Sequence, residues 1–237
     1  MNNVRDIKRK NTLLRPRITT AKVVILLNMY LLLVSCAPSL YSVNINYEPS
    51  ETVLKPTDIA KKYSVTIATF NDVRPAGDDL LIGKVITSSG NLKSIIPKNL
   101  KPSKAVAKSL KDYMSRAGYT VTNEMPTWNL QEKTIKKEWG KILIGGNIDK
   151  LEIICNDNIM LKKYKAEVKL SLFFANVQTG KIFYIVSAIG TSSLEHVRFS
   201  EEILEQQING ALSIAIEKIF GGNTVQSKIE ETFSKSP

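Results

Sequence analysis

Within the stretch 164–175, residues 164–172 alternate without a break. Ala166, Val168, Leu170 and Leu172 fall on one side, while Lys165, Glu167, Lys169 and Ser171 fall on the other. A period of two over this length predicts a strand with one face against a core and one face in water. It excludes an all-helical chain and a parallel sheet covered on both sides. Residues 141–155 and 181–193 flank it, with Gln178-Thr179-Gly180 as the second turn, so the three read as an antiparallel meander. Gly145-Gly146 is the expected site of a bulge in the first of them.

Elements before and after the meander complete an α+β reading. Val43, Ile45 and Tyr47 alternate with Asn44 and Asn46, predicting a short first strand that Pro49 ends. Residues 63–70 form a stronger strand, rich in β-branched residues, that runs into the turn-like Asn71-Asp72-Val73-Arg74-Pro75. Residues 76–102 are long for a connection; they are functional, mobile, or hold a short hairpin. Ser103 reads as the cap of a helix reaching Ala117, with Val106, Leu110, Tyr113 and Met114 on one face and Gly118 just past its end. Strand character resumes over residues 119–122, and residues 123–140 leave room for a short surface helix.

The second helix spans residues 199–220. Ser200 caps it, Phe199 is placed to staple onto Leu204, and Glu201, Glu202 and Glu205 suit the positive end of its dipole. Leu204, Ile208, Ala211, Ala215 and Ile219 form the stripe that faces the sheet, and Gly221 ends it. The expected architecture is an antiparallel-rich mixed sheet with two main helices packed on one face, preceded by a signal peptide.

That signal occupies residues 1–35. Arg5, Lys8, Arg9, Lys10, Arg15, Arg17 and Lys22 precede an apolar run over 23–35, whose 13 residues are short of a bilayer span. Leu33-Val34-Ser35 then leads to Cys36. A basic start, a short apolar run and a small residue at the cut have the form of a cleaved secretory signal. With Cys36 as a lipobox cysteine the pattern resembles bacterial lipoprotein signals. That resemblance implies acylation of Cys36 and membrane attachment through its acyl groups. Ala37 rather than Asp follows, which in such lipoproteins implies sorting to the outer membrane, facing the periplasm. The chain then divides into the signal (1–35), a lipidated tether (36–42), an α+β domain (43–221) and a polar, frayed tail (222–237).

Cleavage changes the charge balance. The full chain has 33 basic and 22 acidic residues, a net charge of +11; without the leader's seven basic and one acidic residue it is +5. The composition then gives little support to nucleic-acid binding, and no nucleic-acid partner is expected. Cys155 is left without a cysteine partner once Cys36 is acylated, and its apolar setting in Leu151-Glu152-Ile153-Ile154 reads as a buried structural thiol.

Residues that carry chemistry are sparse. His196 is the sole histidine, at a strand-to-helix junction, and suits a surface or capping role. Asp78-Asp79 are two acids in a loop, fewer oxygens than a hard cation needs. No nucleophile elbow, phosphate loop or dinucleotide fingerprint is present, so no catalytic residue, metal or cofactor is expected. Asp72 and Arg74, two apart at a strand end, share a side and form either a recognition point at the sheet edge or a structural ion pair. Lys104, Lys108 and Lys111 share one helical face, either a basic surface for anionic lipid or wall polymer or a solvated face. Trp128 and Trp139 form either an exposed partner patch or core.

Taken together, Cys36, Tyr47-Glu48-Pro49, the run from Val65 through Asp72-Val73-Arg74-Pro75, Ile82-Gly83 and Gly118-Tyr119-Thr120-Val121 resemble the YajG-type outer-membrane lipoproteins. The layout is also similar to the wider group of envelope lipoproteins with a TolB-N-like domain, which includes activators of peptidoglycan synthases and the curli secretion channel. The resemblance implies a lipid-anchored, non-catalytic binding or assembly accessory with an envelope protein as partner. Alternatives within it are a regulator of a cell-wall synthase or a subunit of a secretion assembly. The latter would need membrane-entering strands, for which residues 76–102 are the place to look.

Overall fold

The computed structural model describes residues 40–50, 62–75 and 79–234. Leu33, Val34, Ser35, Cys36 and Asp78 lie outside the described residues.

One strand organises the sheet. β7, Ile142–Asp157, pairs along its whole length with β8, Lys162–Asn176, in antiparallel register from Ile142↔Asn176 to Asp157↔Lys162. β8 pairs in turn with β9, Lys181–His196, giving the expected meander. The other edge of β7 is shared by three short strands, all parallel to it. β2 (Ser64–Ile67) takes Ile142 to Ile144, β3 (Asn71–Asp72) takes Asn147 and Ile148, and β4 (Gly83–Thr87) takes Ile153 to Asp157. β5 (Leu92–Pro97) folds back on β4, β1 (Tyr41–Val43) adds parallel to β5, and β6 (Thr120–Val121) adds parallel to β2. Residues 76–102 thus hold the β4–β5 hairpin, and both strands are consumed by the domain's own sheet.

The bulge in β7 is at Asp149, where the register with β8 shifts between Ile148 and Lys150, and not at Gly145-Gly146. Its consequence is visible in burial. Ile142, Ile144 and Ile148 face the core before it; Leu151, Ile153 and Cys155 face the same core after it. Sixteen residues of strict alternation would twist the second half off the core, and one extra residue resets the parity. The two glycines serve close packing instead. A Cβ on Gly145 would lie 2.6 Å from the Trp128 ring, and one on Gly146 would lie 2.6 Å from Phe70 and from the Ser171 carbonyl oxygen.

Among the described residues, three helices join the main core. α1 (Pro102–Arg116) starts two residues earlier than the Ser103 cap implies, with Lys101 at the cap, because Pro102 has the fixed φ that suits the first helical position. It ends as expected before Gly118, whose φ is +89°. α2 (Glu201–Phe220) is capped by Ser200, whose Oγ accepts from Glu202 N at 3.1 Å. Residues 222–237, read as a frayed tail, instead contain α3, Asn223–Ser234. The apolar residues in that polar stretch, Val225, Ile229 and Phe233, recur at helical spacing and are buried, with Phe233 4.8 Å from Tyr63 between ring centroids. Likewise, β1 starts at Tyr41, inside the span read as tether.

A smaller core lies apart from the main one. Trp128, Trp139, Ala68, Leu143, Ala175 and Val177 cluster there, so both tryptophans are packing residues and not an exposed patch. The expected surface helix is a single 3₁₀ turn, Glu132–Thr134, and the Glu132 carboxylate accepts from Lys181 Nζ at 2.9 Å and Ile182 N at 3.0 Å.

Where α2 crosses the meander, contact is backbone to backbone. A Cβ on Gly190 would sit 2.0 Å from the Ala211 carbonyl oxygen and 2.6 Å from Ala215 N. Gly190→Ala is therefore expected to push α2 off the sheet and cost about 1–3 kcal/mol, read as a lower urea midpoint. An unchanged midpoint would refute the close helix–sheet contact.

Candidate functional site

The bulge that resets β7 also opens a gap on its parallel edge. β3 ends at Asp72 and β4 begins at Gly83, leaving carbonyls between them without strand partners. Arg74 fills that gap. Its Nε donates to Asp72 Oδ1 at 2.7 Å and its Nη2 to Asp72 Oδ2 at 2.7 Å, a two-pronged pair. Nη1 donates to the carbonyl oxygens of Leu81 at 2.8 Å and Leu151 at 3.3 Å, and Nη2 also donates to the Asp79 carbonyl oxygen at 3.0 Å. Every N–H of the guanidinium thus has an acceptor. Both side chains are largely covered, at 13% and 20% exposure. The pair seen in the sequence forms, and its geometry is that of a rivet joining β3, β4 and β7. The 79–82 loop reaches it through backbone oxygens, which is the only part the described Asp79 plays here.

Beside the rivet is a cleft of about 430 Å³, bordered by Arg74, Leu81, Gly83, Asp149, Lys150 and Glu152. Its charged rim is largely internally matched. Lys150 Nζ lies 3.0 Å from Glu167 and 3.5 Å from Glu152, and the Glu167 hydrogen bond pushes its pKa up. Ser171 Oγ donates to Asp149 Oδ2 at 2.6 Å.

A second constellation was not anticipated. Residues 42–50 run extended beside α2, and every second backbone N–H donates to a side chain of that helix. Ser42 reaches Glu201 at 3.3 Å, Asn44 Glu205 at 2.8 Å, Asn46 Asn209 at 3.0 Å, Glu48 Ser213 at 2.9 Å and Ser50 Glu217 at 3.0 Å. Two extended residues advance about 6.6 Å and four helical residues about 6 Å, so the rungs stay in step. Return bonds lock the pairing: Asn209 Nδ2 donates to Glu48 Oε1 at 2.9 Å, and Tyr47 OH to Glu217 Oε1 at 2.9 Å. On the alternate positions Val43, Ile45 and Tyr47 are buried. The sequence carries a signal for this zipper, a polar residue at every fourth place from Glu201 to Glu217; the helix dipole alone does not account for Glu201 and Glu205.

The remaining candidates are placed as follows. Lys104 and Lys108 are exposed on α1 and Lys111 is half-buried, but Lys108 pairs with Asp112 at 3.7 Å and Lys111 donates to the Asn123 carbonyl oxygen at 3.1 Å. Part of this basic face is thus used within the fold. His196 Nδ1 lies 3.1 Å from Arg198 N, which donates to it, a turn-closing contact just ahead of α2. Cys155 is fully buried and its thiol is pushed up to about 11, chiefly by desolvation and then by Asp157. Its neighbour Tyr164 is pushed up to about 12, again by burial first, while its OH donates to the Arg198 carbonyl oxygen and accepts from Ser200 N.

No protein-family model and no curated protein matches the sequence. Solved structures with a similar chain path include protein XCC0632 from Xanthomonas campestris, described under family DUF330. It is 9% identical with a TM-score of 0.48, over 82% of this chain and 99% of that one. A putative neuraminyllactose-binding hemagglutinin homolog from Helicobacter pylori is 14% identical with a TM-score of 0.41, over 78% and 98%. Lipoprotein GNA1162 from Neisseria meningitidis is 11% identical with a TM-score of 0.36, over 67% and 99%. At these scores the similarity is one of partial chain path, and it assigns no role to any residue of this chain.

Two outcomes follow from the geometry. Arg74→Ala leaves the Asp72 carboxylate and the Leu81 and Leu151 carbonyls unmatched, and is expected to cost about 3 kcal/mol by urea unfolding. Arg74→Lys should recover only part, since an ammonium lacks the fork; full recovery would show that charge alone suffices. As for pH, the Cys155 and Tyr164 protons are held more tightly in the fold than at their ordinary values of 9.0 and 10.0. Their contribution is complete below pH 9. As pH rises the unfolded chain sheds these protons first, so stability falls towards pH 11. At pH 10.5 the Cys155 part is on the order of 2 kcal/mol. Cys155→Ala should shrink the difference in urea midpoint between pH 8 and pH 10.5, and an equal difference in both proteins would refute this origin.

Proposed function

We propose that this chain is a lipid-anchored, non-catalytic binding or assembly accessory of the bacterial outer membrane, held through acyl groups on Cys36 and facing the periplasm. The observation that best supports the reading is the zipper. The segment immediately following the lipobox is fastened along the full length of the core helix α2 by rungs at Ser42, Asn44, Asn46, Glu48 and Ser50. Such fastening suits a domain whose N-terminus is its point of attachment, since force on that terminus reaches the core directly. Two or more acyl chains make such an anchor stable, at about 0.8 kcal/mol for each buried CH₂.

The chemistry-bearing side chains also fit a binding module. Arg74 is committed to Asp72 and three carbonyls, Cys155 is buried and protonated at neutral pH, and His196 closes a turn. Envelope proteins that bind the domain are then its partners, and a wall synthase or a secretion component is among those the fold would serve.

Growth with an alkyne-tagged palmitate tests the anchor. The full-length chain should take up label and fractionate with the outer membrane, while Cys36→Ala should lose the label and be released in soluble form. An unlabelled, soluble wild-type chain would overturn the reading. Recovery of the same envelope protein by the acylated chain, and not by Cys36→Ala, would then identify the partner.

A further inference from the structure

The apolar side chains that the fold leaves most exposed are not scattered, although others such as Val73 and Ile185 stand elsewhere on the surface. Among the described residues, the four most exposed large apolar side chains are Ile159 (86%), Met160 (86%), Leu92 (66%) and Val197 (65%). They come from three separate stretches of sequence. Sheet register brings them to one end. Thr87 is level with Asp157, Asp157 with Lys162, and Lys162 with His196. The β4–β5 turn (residues 88–91), the β7–β8 turn (residues 158–161) and the exit from β9 therefore lie side by side. Leu92 is the first residue of β5 after its turn.

The N-terminal segment joins the domain at this same end. β1 runs parallel to β5 with Tyr41 level with Ile95, so the chain preceding Tyr41 comes from the side of the β4–β5 turn. Half-exposed Leu40 stands there, and Tyr41 packs against Phe199 at the start of α2 with ring centroids 4.8 Å apart. Four residue steps separate Leu40 from Cys36, a reach of about 14 Å at full extension. An anchor on Cys36 therefore holds this end, and not the opposite one, within that distance of the bilayer.

We propose that this end is a membrane-contact surface. Ile159 and Met160 at the β7–β8 turn, with Leu92, Val197 and Leu40 beside them, insert into the headgroup region of the lipid leaflet that holds the acyl chains. The proposal rests on the anchored reading above. Apolar tips of this kind are costly in water, and an interface that accepts side chains 5–10 Å deep removes that cost. Basic side chains border the tips: Arg198 and Lys163 are exposed, and Lys93 Nζ donates to Tyr41 OH at 3.2 Å. Glu195 offsets Lys163 at 2.9 Å, so the contact is driven by apolar insertion more than by net charge. The domain would then stand upright, with the β8–β9 turn and the opposite end of the sheet directed away from the lipid.

The test uses the acylated full-length chain in vesicles of phosphatidylethanolamine and phosphatidylglycerol carrying nitroxide-labelled lipid. Met160→Cys and Gln178→Cys are each labelled with bimane; buried Cys155 does not compete for the label, and both sites are exposed enough to leave the fold unchanged, which circular dichroism verifies. Flotation first shows whether the chain is vesicle-bound. The expected result is flotation with quenching at position 160 several-fold stronger than at position 178 in the β8–β9 turn. Flotation with equal, weak quenching at both would overturn the membrane-contact surface and leave the anchor standing. A chain that does not float would overturn the anchor, and this surface with it. As a second readout, Ile159→Ser with Met160→Ser should keep the chain afloat but lower quenching of a probe at Val197→Cys; no loss there would refute insertion of the turn.

Discussion

Almost every strand in this domain depends on one extra residue. β7 is long enough to receive a partner along one edge and three successive partners along the other. A strand of that length can serve one core only if its inward face is maintained, and the bulge at Asp149 maintains it. The same extra residue interrupts the parallel edge, so β3 and β4 cannot be one continuous strand. The Asp72–Arg74 pair is the answer to that interruption: its donors match the carbonyls that the missing ladder leaves open. A motif that reads as a possible ligand contact thus has its partners inside the fold, and the adjoining cleft takes its shape from the same irregularity.

The zipper obeys a different constraint, a coincidence of rises. An extended chain and a helix are rarely commensurate, but two residues of one nearly equal four of the other. With acceptors at every fourth place on α2, an edge segment that has no strand beside it after Val43 still has every second N–H group satisfied. Each rung to a neutral acceptor contributes about 1 kcal/mol and each to a carboxylate about 1.5–3. The apolar side chains between the rungs keep the polar contacts sheltered.

What could be read from the sequence followed periodicity. The meander, α1, α2 and the glycine stop at Gly118 all rest on local patterns of two or three-to-four, and the structure has them. The pairing of β2, β3 and β4 with β7 is set by contacts far apart in the chain and leaves no local trace. α3 was missed because its three buried residues are outnumbered by Ser, Thr, Lys and Glu, and composition outweighed spacing. Trp128 and Trp139 could be placed only once Leu143 and Ala175 were known to lie beneath them. The Asp72–Arg74 pair was legible as a pair, but its saturation was not, since that depends on the carbonyls of Leu81 and Leu151.

The zipper has a direction. Residues 42–50 run the same way as α2, from Glu201 towards Glu217. Tension on the N-terminus of that segment is directed along the helix axis, away from the domain. Rungs arranged in this way share the load in shear, whereas a segment peeled from one end would lose them singly. The contacts also join residues some 159–167 positions apart. These rungs need α2 in place, and joining residues so far apart in the chain closes a long loop. Under the proposed anchor such a seam must hold under tension, and a helix offering acceptors from Glu201 to Glu217 meets that requirement.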